Sequence, residues 1–291
     1  MSREHRDTIF LEEAEILSHQ HLDGDQHLLR VQAPECAAKA QPGTFVHIQC
    51  GAELPLRRPI SIMRYSASEG WVDFLYKALG RGTNMLAKRQ PGEKLSMIGP
   101  IGNPFELHSK HSRPLLIGGG IGMPPMIAIA ESLKGQDNYK PLVILGSEVP
   151  FPFKAEPSKI LLPNLPNSVI ATMPLLDSWQ IPCRLASQQG YAGCYQGYVT
   201  DLARIWLESL NEAEQQKVEI FSCGPHPMLE AVAALAAEFN LPCQVSLEEF
   251  MACGIGGCAG CVTSVTKEGE VSMKRVCVDG PIFNATEVFP I

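Results

Sequence analysis

The sequence predicts a β-barrel followed by an α/β domain and a small cysteine-rich carboxyl-terminal subdomain, with boundaries at residues 1–110, 111–242 and 243–291. Three observations lead there. Short β-rich runs at residues 27–33, 44–50, 59–65, 71–79 and 94–99 are separated by turn signals such as Gln41-Pro42-Gly43 and Pro91-Gly92, the rhythm of an antiparallel sandwich or barrel. From Arg113 the rhythm changes, and apolar runs at 114–118, 141–146 and 218–223 alternate with helix-forming runs at 124–134 and 226–239, which implies a parallel sheet. Beyond Pro242, Cys253, Cys258, Cys261 and Cys277 crowd among glycines, whereas the other cysteines are scattered.

Length and composition narrow the function classes. A chain of 291 residues corresponds to about two domains at roughly 100 to 200 residues each, and 45% hydrophobic with 19% charged residues is an ordinary globular balance. A formal charge of −7 without a Lys/Arg cluster argues against nucleic acid as a partner, because phosphate binding needs a basic face. The first twenty residues alternate charges with short apolar pieces, so no export signal is expected. The longest apolar tract, residues 115–130, is broken by Gly118, Gly119, Gly120, Gly122 and two prolines and is too short to span a bilayer. A reducing, cytoplasmic setting without membrane association is therefore expected, and ten cysteines in such a chain point to metal or redox chemistry rather than disulfides.

Within the first domain, alternation along residues 57–62 puts Arg58, Ile60 and Ile62 on one face and Pro59 and Ser61 on the other, and the proline makes this an edge or interrupted strand. Gly80-Arg81-Gly82-Thr83-Asn84 precedes a short helical run and would leave free N–H groups at a helix start. Taken alone, each of these also reads as an ordinary turn.

Residues 118–125 (GGGIGMPP) follow an apolar strand and open a helix. That context is what a dinucleotide loop requires. Gly120-x-Gly122-x-x-Pro125 replaces the third glycine of the fingerprint by a proline, which suits a first helical turn because it lacks a donor and has its φ preset. The helix start would then face a pyrophosphate, and the missing side chains would permit its close approach. A bare loop packing strand on helix is the competing reading. Glu148, just past the next strand, sits where a carboxylate accepts from a ribose 2′-hydroxyl and repels a 2′-phosphate, favouring NADH over NADPH; an ordinary solvated Glu fits equally. Residues 151–193 are proline-rich and irregular and read as insertions around one or two strands. Cys223-Gly224-Pro225 ends a strand and places a thiol at the carboxyl edge of the sheet, where open α/β folds bind ligands, or simply fills a tight turn.

The clustered cysteines read C-x4-C-x2-C-x15-C, and the first three spacings match the plant-type [2Fe–2S] run. Four thiolates hold two irons, and Gly254, Gly256, Gly257 and Gly260 would let the loop turn N–H groups toward the sulfurs. Zinc, which favours two short C-x2-C knuckles, and buried thiols compete with this reading. Cys243 is the alternative fourth ligand.

The order RRPISI, GRGT, GPIGNPF, GGGIGMPP, CGP and then the cysteine run spans nearly the whole chain and resembles the ferredoxin-reductase superfamily. LEEFMACGIGGCAGCV with KRVCVDGPIF more narrowly resembles the electron-transfer subunit of the class 1B dihydroorotate dehydrogenases. That resemblance implies a flavin-binding barrel, a nucleotide-binding central domain and an iron–sulfur subdomain. It implies that Arg58, Pro59, Ile60 and Ser61 line FAD, with Arg58 on the diphosphate and Ser61 near the isoalloxazine N5 edge. Leu75, Tyr76 and Lys77 would form a second flavin-contacting strand, and Gly82 and Thr83 would hold the FAD phosphates. The loop Gly118, Gly119, Gly120 and Gly122 would receive NAD(H), with Cys223 beside the transferring ring. Cys253, Cys258, Cys261 and Cys277 would be the cluster ligands. By this resemblance NADH gives a hydride to FAD, or the reverse, and electrons pass singly through the cluster to a catalytic flavoprotein subunit in a hetero-oligomer, with dihydroorotate dehydrogenase and pyrimidine biosynthesis expected. A reductase subunit serving a sulfite reductase or a ferredoxin is the alternative enzyme, and a non-redox zinc-binding module the alternative outside that class. The sequence departs from the family at Phe250, where a basic residue is usual, at Ala259, where an aromatic is common, and at Gln189-Gly190-Tyr191 in place of Asp-Gly-Ser.

Overall fold

A computed structural model describes residues 9–290. In chain order, β1 (Phe10–Leu22), β2 (Gln26–Gln32), α1 (Pro34–Lys39), β3 (Phe45–Ile48), β4 (Arg58–Ser66), β5 (Trp71–Lys77), α2 (Arg81–Leu86) and β6 (Lys94–Ile101) form the first part. The next comprises β7 (Arg113–Gly119), α3 (Met123–Leu133), β8 (Leu142–Gly146), β9 (Glu156–Pro157), β10 (Ala171–Thr172), α4 (Pro174–Ser178), β11 (Cys183–Ser187) and β12 (Tyr195–Gln196). It continues through α5 (Val199–Glu208), α6 (Glu212–Gln215), β13 (Val218–Cys223), α7 (His226–Glu238) and β14 (Cys243–Ser246). The last part holds β15 (Val262–Lys267), β16 (Glu270–Arg275), α8 (Val276–Asp279), β17 (Ile282–Asn284) and α9 (Ala285–Val288).

The chain divides into two compact units. One joins the segment up to Pro104 with Leu247–Ile282, and the other joins Phe105–Ser246 with the chain from Phe283. The cysteine-bearing segment therefore belongs with the amino-terminal barrel, although more than a hundred residues of the other unit lie between them in sequence.

In the first unit six antiparallel strands close into a barrel in the order β1-β2-β5-β4-β3-β6. Period-two alternation explains it: Leu29 and Val31, Val46 and Ile48, Ile60 and Ile62, Val72 and Phe74 all enter one buried cluster, while the residues between them turn outward. Fully burying side chains such as Phe74 and Ile62 contributes roughly 1.5–3 kcal/mol each. The long strand β1 closes the barrel by pairing with both β2 and β6. Its charged residues Glu12, Glu13 and Glu15 and a register shift between Ile16 and Ser18 hide it from a reading of hydrophobic runs.

The second unit is a seven-stranded sheet in the order β12-β11-β8-β7-β13-β14-β17. Strands β11 and β12, β8 and β11, β7 and β8, β7 and β13, and β13 and β14 pair in parallel. Residues 151–193 hold two short strands, one helical turn and β11. From the central β7 the chain first winds outward through β8, β11 and β12 and later returns through β13 and β14 on the other side. The switch point lies between β7 and β13. No helix among the described residues is long and apolar enough to cross a membrane.

Candidate functional site

The glycine loop lies at that switch point. Cys223 at the end of β13 pairs in register with Gly118 at the end of β7, so the loop and the thiol share the carboxyl edge where open α/β sheets bind ligands. Each glycine has its own reason. A Cβ on Gly122 would collide with the carbonyl oxygen of Cys223, and one on Gly119 with the sulfur of Met228. A Cβ on Gly118 would press at 3.1 Å on the backbone of Met123. Gly120 has φ +55° and open space around its missing side chain, which leaves this side of the turn accessible to a ligand. Helix α3 starts at Gly122 as N-cap with proline in its first turn, one residue earlier than the run of helix formers suggests. Cys223 is fully buried. Glu148 is exposed just past the end of β8, next to β7 in the sheet.

In the barrel unit the register gathers most of the sequence-predicted flavin residues on one outer face. Phe45 and His47 of β3 stand opposite Ser61 and Pro59 of β4, and Ile62 stands opposite Phe74 of β5, which sets Ser61 next to Leu75. The alternation sends Ile60 and Tyr76 inward instead, where both join the core. There the Tyr76 hydroxyl is 2.9 Å from His19 Nε2 and its ring stacks on His27 at 5.1 Å. Arg58, at the start of β4, lies across the first turn of α2. A Cβ on Gly82 would stand 2.8 Å from its Nε, while its Nη1 donates to the carbonyls of Leu56 and Arg57. The Thr83 hydroxyl accepts from the N–H groups of Leu79 and Gly80 at 3.1 and 3.2 Å, closing the loop on itself. Arg58, Gly82 and Thr83 thus come together at the start of α2.

The cysteine segment covers the outer face of β3. His47 is fully buried, and a Cβ on Gly254 would lie 2.7 Å from its Nδ1. Gly254 and Gly256 both have positive φ, +69° and +80°, which turns the loop back on itself. The thiols stand as two pairs: the sulfurs of Cys261 and Cys277 are 3.3 Å apart, and the Cys258 side chain bonds Cys253. Burial by itself would raise the Cys253 thiol, but the N–H groups of Ile255, Cys258 and Gly257 and the Cys258 thiol bring it down to about 7. The Gly260 N–H approaches the Cys258 sulfur at 3.4 Å. Cys277 is pushed up to about 12 by burial and by its neighbour Cys261. Among the described residues no three His, Cys, Asp or Glu side chains gather about a single metal position, in keeping with two separate thiol pairs. Cys243 is buried in β14, with its thiol raised by that burial and by Glu219.

Sequence motifs named neither His47 nor Arg275, whose guanidinium donates to the Gly256 carbonyl at 3.1 Å. They also missed Met228, which fills the space between the loops at Gly119 and Gly224. A histidine flanked by Val46 and Ile48 in an apolar strand was the one visible signal for the first.

Comparison with known proteins places this arrangement. Residues 248–289 match the iron-sulfur cluster binding domain of dihydroorotate dehydrogenase B. The electron transfer subunit of dihydroorotate dehydrogenase B (NAD(+)) from Caldanaerobacter subterraneus subsp. tengcongensis is 34% identical over 250 residues, covering 86% of this chain and 87% of its own. The corresponding subunit of Geobacillus kaustophilus is 35% identical over 254 residues, covering 85% and 86%. Among solved structures, the NADH-dependent reduced ferredoxin-NADP oxidoreductase is similar with a TM-score of 0.76 and 26% identity, over 95% of this chain and 90% of that one. With this identity sustained across both units, the chain belongs to the electron transfer subunits of dihydroorotate dehydrogenase B.

Proposed function

We propose that the chain carries electrons between NADH and a dihydroorotate dehydrogenase catalytic subunit, with FAD on the barrel, NAD(H) at the glycine loop and a [2Fe–2S] cluster on the four cysteines. The observation that carries this reading is the pairing of Pro59 with His47 across β4 and β3, with the Cys253–Gly254 turn lying on His47. The flavin strand and the cluster loop are neighbours on one outer face of the barrel.

The residues present fit the groups. Two thiol pairs supply the four sulfurs that two irons take, and the N–H groups directed at Cys253 and Cys258 offset the negative charge of such a centre. Arg58 over the start of α2, with Gly82 leaving room for it, provides a charged fork beside backbone N–H groups, suited to a diphosphate. Ser61, Pro59, Leu75 and Lys77 offer the outer face for the ring system, whereas Tyr76 and Ile60 would touch it only through their backbone. In the other unit, the loop from Gly118 to Gly122 would hold the nicotinamide nucleotide by its pyrophosphate, with Cys223 at the sheet edge by the reacting ring and Glu148 accepting from the adenosine ribose.

When bound, FAD exchanges a hydride with NADH and single electrons with the cluster, which is why the three sites share one chain. The protein's part is orientation and electrostatics. The outer face would hold the ring system beside Ser61, the buried His47 side keeps water from Cys253, and exposed Cys258 would turn the thiol group of that loop toward a docking partner subunit. The cysteine-bearing segment Leu247–Ile282, which packs with the barrel, would act as the cluster-bearing part of a cytoplasmic hetero-oligomer in pyrimidine biosynthesis. Mixing this chain with a dihydroorotate dehydrogenase B catalytic subunit tests the reading. NAD+-dependent oxidation of dihydroorotate should require both chains, and failure of the two to form a complex competent in that reaction would refute it.

A further inference from the structure

His47 is a costly residue where it stands. Its side chain is fully buried and neither ring nitrogen has a hydrogen-bond partner. Leaving a buried polar group without a well-formed hydrogen bond is destabilising, whereas an aliphatic residue would cover the outer face of β3 without that penalty. The neighbouring groups do not meet the need. Arg57 donates to the main-chain carbonyl of His47 and to the carbonyl and hydroxyl of Ser96. Its guanidinium offers no acceptor, and the main-chain carbonyls of Cys253 and Arg57 that face the ring do not reach good hydrogen-bond geometry with either nitrogen. The opposite strand presents Pro59, which has no polar side chain. What the ring does face is the Cys253–Gly254 turn, with Nδ1 closest to the position a Gly254 side chain would occupy. Any larger residue at 254 would separate the imidazole from that turn.

The same turn is where backbone donors already converge, since N–H groups of Ile255, Gly257 and Cys258 are directed at Cys253. An imidazole carries at least one N–H in either charge state, so His47 adds a donor from the barrel side to donors supplied by the loop. We propose that the ring N–H of His47 facing the Cys253 turn completes its hydrogen bond on a sulfur at the Cys253 end of the bound cluster, making His47 a positioning residue that sets the cluster's reduction potential. The inference rests on the function proposed above. An N–H dipole aimed at sulfur stabilises the more negative, reduced centre, and hydrogen bonds to sulfur are among the determinants of iron–sulfur potentials. Removing it should therefore shift the midpoint to more negative values and slow electron passage from flavin to cluster, while leaving hydride uptake unchanged.

The experiment uses the full chain in complex with its catalytic subunit, prepared anaerobically. In wild-type protein labelled with 15N-histidine, pulsed paramagnetic resonance of the reduced cluster should show a weak coupling to one histidine nitrogen that disappears in His47→Leu. The midpoint potential should fall in His47→Leu and be largely restored in His47→Gln, which keeps a side-chain N–H. A wild-type cluster with no histidine coupling, or with a strong coupling characteristic of direct iron ligation, overturns the inference. So does a midpoint equal in all three proteins. Should His47→Leu fail to load a cluster, the wild-type coupling and the His47→Gln midpoint decide. A wild-type complex without any cluster would instead count against the function itself.

Discussion

The sulfurs of Cys261 and Cys277 lie 3.3 Å apart although sixteen positions separate them in sequence. The hairpin β15–β16 brings this about: Val262 pairs with Arg275, so the residues just outside each end meet, and the Val276 N–H donates to the Cys261 carbonyl at 2.9 Å. Replacing Cys277 by Ser exchanges a soft thiolate for a weakly coordinating hydroxyl at a position the hairpin holds in place. Iron content should fall by about half or more, and electron transfer to the catalytic subunit by at least about 100-fold, while NADH-driven bleaching of the flavin survives. Iron assay and stopped-flow absorbance on one preparation check both parts. The exposed Cys258 should behave alike as Cys258→Ser, and equal loss of both reactions would contradict the proposed order of transfer.

At the nucleotide loop, Gly122→Ala places a methyl group against the Cys223 carbonyl. That neighbour is backbone and cannot swing aside, so β13 or α3 must shift. A loss of about 1–3 kcal/mol is expected, together with a rise of about tenfold or more in the dissociation constant for NADH. Urea titration and fluorescence titration measure these separately. Gly120→Ala makes a useful contrast, because its φ is +55° but its missing side chain meets open space. It should cost about 1 kcal/mol through backbone strain alone.

Glu148 is exposed at the end of β8, where a carboxylate accepts from the ribose 2′-hydroxyl. A charged hydrogen bond of this kind contributes about 1.5–3 kcal/mol, so Glu148→Ala should reduce the NADH over NADPH preference in kcat/KM by about 10- to 100-fold. An unchanged ratio would assign the carboxylate to solvent.

Inside the barrel, burial and the neighbouring His19 and His21 hold His27 below the ordinary histidine value of 6.5. A group whose folded-state pKa is depressed below its unfolded value binds fewer protons when folded. Its neutral form therefore supports the fold fully above 6.5, and that support is lost as pH falls from 6.5 through the folded value. Thermal unfolding should show a falling Tm across this window. His27→Phe, which keeps a ring against Tyr76, should flatten the slope without lowering Tm at pH 7.5.

Much of this architecture is legible in the sequence. The change from period-two runs to alternating strands and helices separates barrel from parallel sheet because each period reports which face is buried. The glycine and cysteine motifs were legible because their chemistry is local. Strand β1 was not, since Glu13 and Glu15 face outward, Glu12 accepts from the N–H groups of Glu35 and Cys36, and the apolar inward set is only Ala14 and Ile16 before the register shifts. The inward turn of Tyr76 follows from its parity with Phe74, which a motif match overlooks. Nor does local sequence show that Leu247–Ile282 returns to the barrel, because that association depends on surfaces such as His47 and Gly254 meeting across some two hundred residues of chain.

The central claim is that a flavin on the barrel empties into a two-iron cluster held by Cys253, Cys258, Cys261 and Cys277. Anaerobic titration of the purified complex with NADH, followed by absorbance and by paramagnetic resonance, addresses it most directly. Two irons and two acid-labile sulfides per chain are expected, with bleaching of the flavin band and a reduced-cluster signal that appears with it and is absent in Cys258→Ser. A colourless protein, or flavin bleaching with no paramagnetic signal at full reduction, would contradict it.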